Sequence, residues 1–397
     1  MRKGDSLWTH VLLVGGLLLI GMNLRPAITG IAPLVDRMID DGVEVGTIGM
    51  QTTLPLMLFG LASVLVGVVG NWIGFARALA LGLLLLATGC FARSWGLAEE
   101  GVAAARWGGP LLVGLGIAFG NVLLPAVVKS RYPSRLGLMT SLYSTAMNVG
   151  AALGFALAVP LADALAGGWN ASLGFWGVAA LSPLLFWIPQ IARRPASRKS
   201  GNPFNPFVRL AKDPRAWQVT TLMGLQSLLF YSSVAWLPVM LQERGMGEAA
   251  SYGWPTVMQL FGCAASLTLP TWAGRLRSQA FWASACGVLT GASICGILWL
   301  PLGLVGAATV GMGIGLNGGF GMALLLIAMR SKDASEAGYL SAMAQTFGYV
   351  IAAPFPWFVG WLSDASGSWY VAYGFLFLPA VGVSVAGALA GRAGQLR

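Results

Sequence analysis

Twelve apolar stretches follow one another along the chain, each long enough to cross a hydrocarbon core of about 30 Å. They run at 7–33, 47–70, 76–93, 103–127, 136–161, 170–190, 216–240, 251–272, 280–299, 302–328, 336–361 and 369–391. A lipid interior offers the backbone no hydrogen-bond partners, so stretches of this length cross as helices. Composition agrees: 56% of the residues are hydrophobic and 10% charged, where soluble domains carry about 25% charged. The fold class expected is an all-α integral membrane protein, with twelve transmembrane helices in two six-helix bundles. The longest polar gap, 191–215, divides six stretches from six. The expected domains are therefore 1–190, a cytoplasmic linker at 191–215, and 216–397. The first stretch is too long for a cleavable signal peptide and lacks a small-residue cleavage site.

Charge sets the orientation. With both termini and the linker inside, the inner face collects Arg2, Lys3, Arg77, Lys129, Arg131, Arg135, seven linker residues, Arg275, Arg277, Arg330, Lys332, Arg392 and Arg397. That is 19 of the 24 basic residues, and such a bias predicts cytoplasmic termini in a multi-pass protein of the cell inner membrane. The outer ends hold Arg37, Arg93, Arg106 and Arg244. The net charge of +10 thus reflects topology and anionic lipid. The basic residues are dispersed over short loops, which excludes nucleic acid as a partner.

Arg25 remains inside the first stretch, in Gly21-Met22-Asn23-Leu24-Arg25-Pro26-Ala27-Ile28-Thr29. A charge at a helix centre costs roughly 2.5–3.5 kcal/mol on insertion scales, and intramembrane ionisable groups are functional by default. Bracing neighbouring carbonyls is the bland alternative. Pro26 beside it interrupts backbone pairing, which favours Arg25 as a substrate ligand. Cys90, Cys263, Cys286 and Cys295 lie in apolar segments without metal-ligand spacing and read as small core residues. No metal, cofactor or enzymatic constellation is expected.

The halves resemble each other. Val113-Gly-Leu-Gly-Ile117 recurs as Val310-Gly-Met-Gly-Ile314, and Pro33 matches Pro238. That second register sets Phe230 opposite Arg25 and ranks Tyr231 among the binding candidates. Duplicated halves suit alternating access; a channel-like or receptor role is disfavoured on the same ground.

Several segments resemble the cyanate and 2-nitroimidazole porter family of the major facilitator superfamily. They are Asn23-Leu-Arg-Pro-Ala-Ile-Thr29 with Ala32-Pro-Leu34, Leu123-Leu-Pro-Ala-Val-Val-Lys129, Pro214-Arg-Ala-Trp217, Ala235-Trp-Leu-Pro238, and Pro356-Trp-Phe358 with Gly360. The loop Gly70-Asn-Trp-Ile-Gly-Phe-Ala-Arg77 lacks the aspartate usual in the superfamily. Gly150 and Gly154 are present without the glycine-proline pair of its antiporter motif. The resemblance implies the major facilitator fold, with spans one, four, seven and ten lining a cavity and two, five, eight and eleven forming its wall. Residues expected to bind substrate on that basis are Arg25, Asn23, Thr29, Asn121, Tyr143, Gln226, Tyr231, Gln259, Asn317 and Gln345. Helix–helix hydrogen bonds account equally well for any one of the uncharged members.

No Asp or Glu lies near the centre of a span, and His10, the only histidine, sits near one end. A dedicated proton relay is therefore not visible, and coupling to protons or to a counter-anion both stay open. The expectation is a secondary transporter of a small planar anion or weak acid, cyanate-like, acting as a monomer in lipid. The alternative is an exporter of 2-nitroimidazole-like or other neutral aromatic compounds.

Overall fold

The computed structural model describes residues 7–98, 102–192 and 205–396. Among them every regular element is helical. The chain runs α1 (Leu7–Asn23), α2 (Pro26–Thr29), α3 (Val35–Asp40), α4 (Val45–Ile73), α5 (Phe75–Ala98), α6 (Ala103–Arg131), α7 (Leu136–Ala164) and α8 (Gly168–Ile191). It continues α9 (Asn205–Ala211), α10 (Pro214–Glu243), α11 (Glu248–Ala273), α12 (Ala280–Trp299), α13 (Leu302–Arg330), α14 (Ala334–Ala352), α15 (Phe355–Ser366), α16 (Trp369–Gly374) and α17 (Phe377–Ala390). Among the described residues, ten helical stretches are long and apolar enough to cross a membrane. The eighth expected span is α11, 26 residues long and more polar. The eleventh is divided into α14 and α15 at Ala353–Pro354, and the twelfth into α16 and α17. Pro379 explains the last division, because its ring excludes the carbonyl of Phe375 from a helical ladder.

The described residues fall into two compact units. One comprises those up to Arg131 together with Ala146–Ala192. The other comprises Tyr132–Thr145 together with the residues from Asn205 onward. The boundary falls within α7, so its first ten residues group with the second unit. Of the expected linker, residues 193–204 lie outside the described residues, including Arg193, Arg194, Arg198 and Lys199; the remainder holds α9 and the start of α10.

Both units pack by one pattern. In the first, α5 lies against α6 and α8, α4 against α6, and α1 against α8. In the second, α12 lies against α13 and α17, α11 against α13, and α10 against α17. The correspondence also corrects a register. α6 and α13 are both 29 residues long, and matching their ends pairs Gly114 with Gly313 and Gly116 with Gly315. Contacts agree: Gly114 rests on Pro55 of α4 and Gly313 on Met258 of α11, while Gly116 faces Leu86 of α5 and Gly315 faces Thr290 of α12. The Val113 and Val310 repeats are thus two residues out of structural register, because glycine every second residue lets either pairing look right in sequence.

Candidate functional site

Pro26 dictates the shape of the first helix. It has no N–H, and its ring collides with the carbonyl four residues back, that of Met22. α1 accordingly ends at Asn23 and α2 begins at Pro26, with Arg25 as the N-cap between them. The Arg25 carbonyl accepts from the N–H groups of Ile28 at 3.0 Å and Thr29 at 3.1 Å. Its Nη1 donates to Asn148 Oδ1 on α7 at 2.8 Å. Thr29 Oγ1 donates to the Ala151 carbonyl at 2.9 Å, a second tie between α2 and α7. Asn148 and Ala151, three apart, share one helix face. Glycines on α7 permit this proximity: a Cβ on Gly150 would lie 1.9 Å from the Met22 carbonyl oxygen, and one on Gly154 2.4 Å from Thr29 Oγ1. The pair that looked like an incomplete antiporter motif is therefore the seat of the broken helix.

The Asn148 partner is an uncharged amide oxygen, and the planar guanidinium fork is the donor geometry that suits an anion. Arg25 is partly exposed. Asn23 and Asn121 are both buried and donate to carbonyls of their own helices, Leu19 at 2.9 Å and Ile117 at 3.1 Å. Arg25, Asn23, Thr29 and Asn121 thus belong to the first unit.

The remaining candidates lie in the second unit. Tyr143 is buried in the segment of α7 that groups there. Gln226 Nε2 donates to the Leu316 carbonyl at 2.8 Å, beside Asn317, whose Nδ2 reaches the Gly313 carbonyl at 3.2 Å and Gln259 Oε1 at 3.5 Å. The Tyr231 and Tyr349 hydroxyls stand 3.4 Å apart, with ring centroids at 5.9 Å. Phe230 meets Tyr231 edge-on at 5.4 Å. Gln345 is fully buried with neither amide atom hydrogen-bonded among the described residues. A buried amide left unpaired costs about 1–3 kcal/mol.

Two residues escaped the list of expected ligands. Asn148 is an unremarkable amide in sequence until its pairing with Arg25 is seen. Arg93, expected at an outer end, is fully buried and donates through Nη1 to the Ala27 carbonyl at 2.7 Å.

Residues 12–356 match the family described as the Major Facilitator Superfamily. The chain is 32% identical to the 2-nitroimidazole transporter of Escherichia coli, over 98% of this chain and 97% of that protein. It is 31% identical to the cyanate transport protein CynX of the same organism, over 93% and 94% of the two. In fold it is similar to the human organic anion transporter MFSD10 (TETRAN), with a TM-score of 0.73 over 96% of this chain and 100% of that one. At 17% identity that last likeness concerns the fold alone.

Proposed function

The chain belongs to the major facilitator superfamily and is a multi-pass membrane transporter rather than an enzyme, and from that premise we propose that it carries a small planar anion or weak acid of the cyanate kind by alternating access, with Arg25 holding the substrate's charge. The observation that carries this is the placement of Arg25 at a helix break, aimed by the neutral Asn148 amide. The likeness to a cyanate transport protein supports the substrate class. Against an interior-negative potential, importing a monovalent anion costs about 2.3 kcal/mol per 100 mV. Uptake therefore requires an exchanged anion, a cotransported proton, or the neutral acid as the permeating species. The bias of basic residues toward one set of helix ends supports cytoplasmic termini in the inner membrane; a cysteine at the exposed Asp40 labelled only from inside would refute that.

A second reading, export of a neutral aromatic such as a 2-nitroimidazole, draws on the Tyr231–Tyr349 pair and on the other relative. Thermal unfolding of the purified protein separates the two, since a ligand of the native state stabilises it by RT ln(1 + [L]/Kd). Cyanate should raise the melting temperature of the wild type and leave Arg25→Ala unmoved. Arg25→Lys should recover little, because lysine lacks the planar fork. Equal cyanate shifts in wild type and Arg25→Ala would sink the anchor role. A shift with 2-nitroimidazole alone, indifferent to Arg25, would favour export.

A further inference from the structure

Arg93 is 0% exposed on α5, and its Nη1 reaches the Ala27 carbonyl at 2.7 Å. That carbonyl lies in α2, the short helix that begins at Pro26 and is capped by Gly30. The Gly30 N–H goes to the Pro26 carbonyl at 2.9 Å and the Ile31 N–H to that of Ile28 at 3.3 Å, so the ladder steps past Ala27. Arg93 supplies the hydrogen bond from outside the helix. Its backbone is tightly placed for this, because a Cβ on Gly109 of α6 would lie 2.4 Å from the Arg93 nitrogen. Nε and Nη2 of the same guanidinium are buried without hydrogen-bond partners among the described residues.

A buried cation with two idle donors is an expensive cap for one carbonyl, where a neutral hydroxyl or amide would suffice. What arginine adds is reach from α5 to α2 and a charge-assisted bond to a carbonyl oxygen. Ala27 is two residues beyond Arg25, and the turn between them is tied on its other side to α7 by Arg25 itself and by Thr29. The break is thus gripped from α5 and from α7. We infer that Arg93 is a positioning residue: by holding the Ala27 carbonyl it keeps the helix-one break open and fixes the direction in which Arg25 presents its guanidinium to an anion. This inference rests on the proposed anchor role of Arg25 for its consequence in binding, and not for its consequence in structure.

Full-length purified protein tests it with two readouts. Hydrogen exchange over residues 24–34 reports the turn directly, and cyanate affinity from thermal unfolding reports its use. Arg93→Met should raise exchange in that segment about tenfold or more, with other helices unchanged, because a local opening has lost its restraint. It should weaken cyanate binding about tenfold. Arg93→Lys should recover part of both effects. Exchange unchanged in Arg93→Met overturns the inference, as does an unchanged cyanate affinity where Arg25→Ala abolishes binding. Should Arg25→Ala bind cyanate normally, the anchor reading fails and the exchange measurement alone decides Arg93. If Arg93→Met does not fold, Arg93→Lys carries the exchange test: faster exchange at 24–34 supports the grip, and a wild-type rate refutes it.

Discussion

The first long helix of each unit ends alike and differs in its middle. Gly42 and Gly245 both adopt φ of +84°, a left-handed conformation natural to glycine. The Val43 N–H returns to the Met38 carbonyl at 2.9 Å and the Met246 N–H to that of Leu241 at 3.0 Å, the same C-terminal cap in each case. Counting back from these caps sets Arg25 against Leu228, Pro26 against Leu229 and Asn23 against Gln226. The partner helices fit this to within one residue: Gly150 of α7 rests on Met22, and Gly348 of α14 rests on Gly224, next to the Leu225 that the count sets against Met22. Asn148 then corresponds to Thr346, and Ala151 to Tyr349. Where the first unit has a broken helix with Arg25 on Asn148, the second has a continuous α10 with Leu228 and Thr346. Where the second has Tyr231 on Tyr349, the first has Ile28 and Ala151. One helix pattern therefore carries a cation in one copy and a pair of aromatic hydroxyls in the other.

The severest way to break this comparison is to move the cation. Leu228 is 2% exposed in an unbroken helix. Leu228→Arg would bury a guanidinium without the opened turn that Arg25 enjoys, and it should cost about 4 kcal/mol or more of stability. Loss of folded, monodisperse protein, or a collapse of its melting temperature, is the expected outcome. A near-wild-type melting temperature would mean that the break is not what makes the charge tolerable.

The next test sharpens the comparison at the two glycine seats. A methyl on Gly150 would strike the Met22 carbonyl oxygen at 1.9 Å, whereas one on Gly348 would approach Gly224 at 3.1 Å. Gly150→Ala should destabilise by about 2–3 kcal/mol through overpacking. Gly348→Ala should fall near neutral, since alanine's helix propensity returns up to about 1 kcal/mol. Equal melting temperatures for the two variants would show that the units are gripped alike.

Much of this was legible in sequence, and the losses have identifiable causes. Bilayer thickness fixes span length, so the long helices fall where the apolar stretches do. The break in the first helix follows Pro26, yet proline alone is a poor guide: Pro55, Pro110, Pro125, Pro160, Pro183, Pro189, Pro238, Pro255 and Pro270 all sit inside continuous helices. After Pro26 the Ala27 carbonyl is met from outside the helix by Arg93, more than sixty residues away in sequence. Partners of that kind are tertiary and leave no local pattern. The burial of Arg93 leaves no mark in sequence, because a position near the end of an apolar stretch looks exposed while burial depends on α6 closing over it. The register of the first helices slipped by two for a similar reason. Matching Pro33 to Pro238 compares two prolines with different jobs, where the glycine caps at Gly42 and Gly245 mark the true correspondence.

A smaller effect is expected at Asn148. Asn148→Thr gives the first unit the residue type of the second and shortens the acceptor that meets Arg25 Nη1 at 2.8 Å. The guanidinium keeps its charge and loses its aim. Cyanate affinity should fall about five- to tenfold, roughly 1–1.4 kcal/mol and so less than the about 1.5–3 kcal/mol of a full hydrogen bond to a charged group, because the guanidinium loses its aim and not its charge. Affinity within twofold of wild type would remove Asn148 from the orienting role.

The smallest effect belongs to Tyr231, and its size discriminates between the two substrate readings. The Tyr231 and Tyr349 hydroxyls are 3.4 Å apart, well beyond the 2.7–2.8 Å typical of a good O–H···O bond. Removing one hydroxyl therefore gives up little within the protein. If the charge is read by Arg25, Tyr231→Phe should change cyanate affinity by less than about twofold, because the ring face that meets a flat ligand is kept. Tyr231→Ala removes the ring and should cost about 0.5–1.5 kcal/mol with a flat ligand, several-fold in affinity. A 2-nitroimidazole offers a larger aromatic face than cyanate, so Tyr231→Ala should weaken it more. Titrating both ligands against Tyr231→Phe and Tyr231→Ala makes the order measurable. A tenfold loss of cyanate binding in Tyr231→Phe would shift recognition of the anion toward the second unit and end the division of labour drawn from the two helices.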